Sequence, residues 1–202
     1  MVEQLTGALR AIDYPASLLD IKLVFEEDDH ETIDAVRALE LPGYFEIIVV
    51  PPCNPRTKPK ALNFALPFAR GELLVIYDAE DIPDADQLRR AALAFHRAPE
   101  DLACMQAALA YYNADRNWLT RQFAIEYAGL FDVILPKLAI SGLPVPLGGT
   151  SNHFRTAILR EAGGWDPYNV TEDADLGIRL GRMGYRVEML ASTTLEEAVW
   201  QP

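Results

Sequence analysis

Cysteine is nearly absent from the 202 residues: only Cys53 and Cys104 occur, in unrelated contexts and without metal-ligand spacing. That excludes a disulfide framework and a thiolate zinc site, and it points to a reducing compartment. Histidine is almost as scarce, with three in the chain, too few for a centre built on imidazoles. Basic residues are short as well. Lys and Arg number 18 against 30 Asp and Glu, a formal charge of −12, which argues against nucleic acid, whose binding depends on clustered Lys and Arg. An acidic lipid surface is disfavoured for the same reason, and an anionic substrate would require a bridging cation or a locally basic pocket. Long apolar runs are missing too: no stretch approaches the about 18 uninterrupted residues of a membrane helix. The nearest, Leu130 to Leu147, is broken by Asp132, Pro136, Lys137, Pro144 and Pro146 and reads as a buried or interfacial segment. Met1 to Arg10 carries Glu3 and no apolar signal region. Internal repeats and low-complexity tracts are also lacking.

What is present is an ordinary globular composition, 50% apolar, in a length that fits one domain with a sizeable core. Strand-length apolar runs alternate with amphipathic helical patterns, the signature of an α/β fold with a mainly parallel sheet flanked by helices. Leu5, Leu9 and Ile12 open a helix that Tyr14–Pro15 stops; Ile21 to Phe25 reads as a strand, His30 to Leu39 as a helix and Phe45 to Val50 as a strand. A proline-rich loop to Pro59 precedes a helix from Lys60 to Ala69, in which Pro67 sits awkwardly. Leu73 to Asp78 follows as a strand, and Asp84 is placed to cap a helix reaching His96. Further strands are expected at Leu102 to Tyr111, Gly148 to Phe154 and Tyr185 to Leu190. Helices are expected at Trp118 to Phe131, Thr156 to Ala162 before Gly163–Gly164, and Asp173 to Met183 before Gly184.

Polar clusters stand at the ends of these elements. Glu26–Glu27–Asp28–Asp29 follows a strand and, alone, reads as a solvated loop. Asp78–Ala79–Glu80–Asp81 ends another strand, where alternate residues can aim two carboxylates at one point; like charges this close call for a cation or force one pKa upward. A capping turn before Pro83 would explain Asp81 and Asp84 but not Asp78 and Glu80. Gly148–Gly149–Thr150–Ser151–Asn152–His153 joins a glycine pair, which permits close backbone approach, to side chains able to bond sugar hydroxyls or phosphate, although His153 could equally be a satisfied buried histidine. Thr171–Glu172–Asp173 opens a helix after an aromatic loop. An N-cap explains one acid, and a general base toward a hydroxyl would explain another.

In order and spacing, Asp78–Ala79–Glu80–Asp81–Ile82–Pro83, Gly149–Thr150 with Asn152 and Phe154–Arg155, Gly163–Gly164–Trp165–Asp166 and Thr171–Glu172–Asp173 resemble the family 2 glycosyltransferases of GT-A fold, in particular the cellulose-synthase-like branch that makes bacterial exopolysaccharides. The resemblance runs from about Asp13 to Ala198. It implies a Rossmann-like, mixed and mainly parallel sheet in a single catalytic domain. Asp78 and Glu80 match the family's DxD element, which holds Mg2+ or Mn2+ on the donor diphosphate; Glu26 and Glu27 stand where the family contacts the nucleobase; and Lys60 matches a lysine near the nucleotide. Asp173 matches the catalytic base. Thr150, Asn152, His153, Trp165 and Glu172 fall on the acceptor side, with Trp165 available to stack on a sugar ring or to pack in the core.

The implied activity is a metal-dependent inverting transfer of a sugar from a nucleotide-sugar, UDP-glucose foremost, to a growing polysaccharide or another hydroxyl acceptor. The family's first strand, its C-terminal Q-x-x-R-W motif and its transmembrane helices are not matched, the sequence ending at Trp200–Gln201–Pro202. A cytoplasmic chain is expected, at the inner face of the membrane if other segments anchor it. A non-catalytic nucleotide-sugar-binding or scaffold domain, and a nucleotidyltransferase, are the alternatives.

Overall fold

The computed structural model of the protein describes residues 2–198; the end at Trp200–Gln201–Pro202 lies outside the described residues. Helix α1 (Val2–Arg10) leads through a short 3-10 turn at Ala16–Leu18 into β1 (Ile21–Glu26). Helix α2 (His30–Arg37) starts where the Asp29 carboxylate accepts the Thr32 amide, satisfying one of the free N–H groups of a helix start, and β2 (Phe45–Val50) follows. Helix α3 (Lys58–Ala65) begins two residues before the expected Lys60, because Pro59 occupies the first turn, where its missing N–H costs no hydrogen bond. The 3-10 turn Leu66–Phe68 then accommodates Pro67 in the same way.

Strand β3 (Leu73–Val75) is shorter than expected and stops before the acids. After the two-residue β4 (Ile82–Pro83) comes α4 (Gln87–Arg97), and Asp84 does not cap it. Its carboxylate instead accepts from the Ser192 hydroxyl and the Thr193 amide, both at 2.9 Å. Strand β5 (Leu102–Tyr111) matches its expected bounds. Helix α5 (Trp118–Ala128) opens on a capping box between Asn117 and Thr120 and does not end at Phe131. A π-helical turn at Gly129–Ile134 carries the chain into α6 (Leu135–Ile140), so the proline-broken segment is largely helical, with Pro136 again in a first turn. Strand β6 (Asn152–Arg155), α7 (Thr156–Glu161), α8 (Glu172–Arg182) and β7 (Arg186–Glu196) complete the order.

The sheet is mixed, as expected, with fewer parallel pairs than the alternation of elements suggests. β1 and β2 pair in parallel, while a second sheet has the order β3-β6-β5-β7-β4, in which β5 and β7 are parallel and the other pairs antiparallel. The central β5 is apolar along nearly its whole length because both faces are covered. On one side Phe154, Leu159, Trp165, Leu176 and Leu180 pack with Phe131 and Leu135; on the other Leu102, Met105 and Leu190 meet Ala91 and Phe95 of α4.

The two sheets face each other through β1 and β3. At one end Asp20, just before β1, accepts from the backbone and side chain of Arg70, just before β3. At the other end the first turn of α3 reaches both strands, Lys60 to Glu26 and Lys58 to the Asp78 that follows β3. The two strands therefore run in the same direction. Between them lies a cavity of about 1370 Å³ lined by Leu23, Val24, Phe25, Leu74 and Val75, and among the described residues neither facing edge has a pairing strand.

Candidate active site

The acids after β3 do not act alike. Asp78 and Asp81 close a turn: the Asp81 amide donates to the Asp78 carbonyl at 3.2 Å, and the Asp78 amide donates to Asp81 Oδ2 at 2.7 Å. The Thr150 hydroxyl also donates to Asp81 Oδ2. Asp81 is fully buried, and burial, against those hydrogen bonds, pushes its carboxyl up to about 7, with Asp78 and Glu196 adding to the rise. With Asp81 turned inward, Asp78 and Glu80 remain partly exposed at the mouth of the sheet.

Lys58, in the first turn of α3, crosses that mouth. Its Nζ lies 2.5 Å from Asp78 Oδ1 and 2.6 Å from the Gly149 carbonyl oxygen. Lys60, two residues on and therefore on another side of the helix, pairs with Glu26 at 2.7 Å. Glu26 and Glu27 border a smaller cavity of about 380 Å³ with Asp28, His30, Cys53 and Arg56, where Arg56 holds Asp28 through two bonds of 2.6 Å.

The glycine loop is fixed from below. Gln106 of β5, fully buried, accepts the Gly148 amide at 2.8 Å and donates to the Thr150 carbonyl at 2.9 Å. Asn152 Nδ2 donates to the Gly148 carbonyl at 2.6 Å. A side chain at Gly148 would begin 2.9 Å from the Phe131 ring, whereas one at Gly149 would meet Asp173 Oδ2 at 3.8 Å. Gly149 thus keeps side-chain atoms away from the second oxygen of Asp173 on this side.

Asp173 stands in the first turn of α8, buried, with Oδ1 accepting from the Trp165 indole N–H at 2.9 Å. Burial pushes its carboxyl up to about 7; Lys58 and the indole bond pull it down, while Glu172 and Asp78 push it up. Glu172, beside it, is partly exposed.

Thr150, Asn152, His153 and Trp165, expected on the acceptor side, lie inside the fold. All four are buried, because β6 lies inside the sheet between β3 and β5 and the Trp165 ring packs edge-on against Phe154 at 5.9 Å. His153 is held neutral, its pKa lowered to about 4 by burial. Lys58, Asn63, Gln106 and Glu196 were not foreseen as site residues. The signal for Lys58 was Pro59, which marks a helix start one residue earlier than a loop-ending proline would. Gln106, inside an apolar strand, gave the other legible sign, since a buried amide demands partners.

Asp78 and Glu80 offer hard oxygen ligands, and Asp78 already draws a cation, Lys58. Among the described residues no three His, Cys, Asp or Glu side chains converge as a metal cage. A divalent ion held by this pair would need its remaining ligands from phosphate oxygens or water, the manner in which Mg2+ is usually held.

A family model described as "Glycosyltransferase like family 2" matches residues 1–200. A "Probable glycosyltransferase YdaM" of Bacillus subtilis is 25% identical over 98% of this chain and 47% of its own length. Glucomannan 4-beta-mannosyltransferase 1 of rice is 30% identical over 62% of this chain and 24% of its own length. The chain thus spans less than half of either relative. Among solved structures, the mannosyltransferase PcManGT of Pyrobaculum calidifontis, in complex with GDP-Man and Mn2+, superposes with a TM-score of 0.75 at 22% identity, covering 99% of this chain and 54% of that one. At that identity the likeness shows a shared GT-A fold.

Proposed function

Because this chain belongs to glycosyltransferase-like family 2, we propose that it transfers a sugar from a nucleotide-sugar to a hydroxyl acceptor, with Asp173 as general base and Asp78 and Glu80 as metal ligands. The observation that carries this reading is Lys58, whose ammonium joins Asp78 to the Gly149 carbonyl beside Asp173. The donor acids and the base therefore share one opening. A bound Mg2+ or Mn2+ would supply charge neutralisation on the departing diphosphate. Lys58 adds a second positive charge at the same place. Asp173 Oδ2, aimed past Gly149, takes the acceptor proton as the acceptor oxygen attacks the anomeric carbon. A base opposite the leaving group gives inversion. A carboxyl with a pKa near 7 suits proton abstraction near neutral pH.

The donor is a nucleoside diphosphate sugar. The sequence motifs favour UDP-glucose, and the relatives named for mannosyl transfer make GDP-mannose the second candidate. The acceptor is a hydroxyl of a growing polysaccharide or of another acceptor. Titrating UDP or GDP into the protein with and without Mn2+ tests the donor site: binding should require the metal and disappear in Asp78→Asn and Glu80→Gln. Metal-independent binding, or none, would overturn the assignment.

A further inference from the structure

We propose that Trp165 is a positioning residue for Asp173: its indole N–H ties up Oδ1 and fixes the carboxylate so that Oδ2 alone faces the acceptor. The inference rests on the reading of Asp173 as base. A carboxylate at a helix start can turn about its side-chain torsions, and a second oxygen free to rotate would present the wrong lone pair in part of the population. Here one oxygen is bonded at 2.9 Å to a donor that has no other hydrogen-bonding atom, while the other lies beside Gly149, where a Cβ would stand 3.8 Å from it.

The tryptophan is itself held firmly. Asn63 of α3 brackets its backbone in both directions, donating from Nδ2 to the Trp165 carbonyl at 2.6 Å and accepting the Trp165 amide on Oδ1 at 3.0 Å. Gly164, with φ of 69°, lets the chain pass: a Cβ there would stand 2.2 Å from Asn63 Oδ1. Helix α3 therefore carries Lys58 toward the donor acids and Asn63 toward the support of the base, joining both halves of the site through one rigid element. The groups around the carboxylate are Lys58 from α3, Asp78 from the turn after β3, Glu172 on α8 itself and Cys104 of β5 behind it. Among the described residues the indole N–H bonds Oδ1, and its loss would let Asp173 take up a proton more readily.

Replacing Trp165 by β-(3-benzothienyl)alanine removes the N–H and keeps the ring shape; Trp165→Phe serves as a second variant. The plateau kcat at high pH should fall about ten- to hundredfold, the worth of a hydrogen bond to a charged group, with KM for the donor unchanged. The carboxyl of Asp173, followed by carbon NMR and assigned with Asp173→Asn, should titrate about one pH unit higher. An unchanged titration together with an unchanged plateau kcat in the benzothienyl protein would overturn the inference. Activity surviving in Asp173→Asn would instead sink the base assignment, while the NMR titration would still report on the indole bond.

Discussion

Asp173 and Asp81 are both carboxyls that burial holds near a pKa of 7, so each binds a proton in the folded chain at pH values where the unfolded chain has released it. Folded pKa above unfolded pKa means the contribution to stability is largest below about pH 4 and declines as pH rises toward 7. Because Asp173 is the proposed base, Asp173→Asn should lower kcat by about two to four orders of magnitude. It should also raise Tm at pH 8 by roughly 2–4 °C, the shift that about 1 kcal/mol gives in a chain of this size, and flatten the fall of Tm between pH 5 and 8. Thermal melts across that range check both. Thr150→Val leaves Asp81 Oδ2 without its hydroxyl donor and should cost about 1–3 kcal/mol in urea unfolding. The acids were legible as a motif, and the turn reading of Asp81 was too, but the full burial of its carboxyl was not. Asp78, Glu80 and Asp81 differ only in the turn that follows β3, and that turn depends on Thr150, far away in sequence. Lys58 and Lys60 show the same limit, since their directions follow from where α3 starts.

At the scale of elements, α8 must approach the Val145–Leu147 segment closely for Asp173 to reach Gly149. Gly177 permits this: a Cβ there would fall 2.1 Å from the Val145 carbonyl oxygen. Gly177→Ala, which touches no site residue, should destabilise by about 1–3 kcal/mol and lower kcat by displacing the helix. Unfolding curves alongside donor KM, which should change little, separate this from a loss of binding. Strands β2 and β5 and the helices were readable because their apolar periodicity is local. β6 falls within the strand expected at Gly148 to Phe154 but starts only at Asn152, and the burial of its polar residues was not readable, because it comes from insertion between β3 and β5. The exception among the helices is the continuation of the one expected at Trp118 to Phe131 into α6 past Pro136, because the π-helical turn between them shifts the hydrogen-bond ladder, a compensation that no residue pattern announces.

For the whole molecule, a formal charge of −12 repels an anionic donor. The donor KM should therefore fall as salt rises from about 10 to 150 mM and the Debye length shrinks. A steady rise of KM over that range would count against long-range repulsion. The parallel borders of β1 and β3 have a different consequence, for the handling of the protein. Among the described residues neither border has a strand paired to it, and the local charges Lys22 and Asp20 are already engaged with Glu46 and Arg70 instead of standing guard. Concentrated solutions should accordingly lose monomer on size exclusion and gain intermolecular β-sheet signal in the infrared, so that shelf life is set by these borders before the core melts.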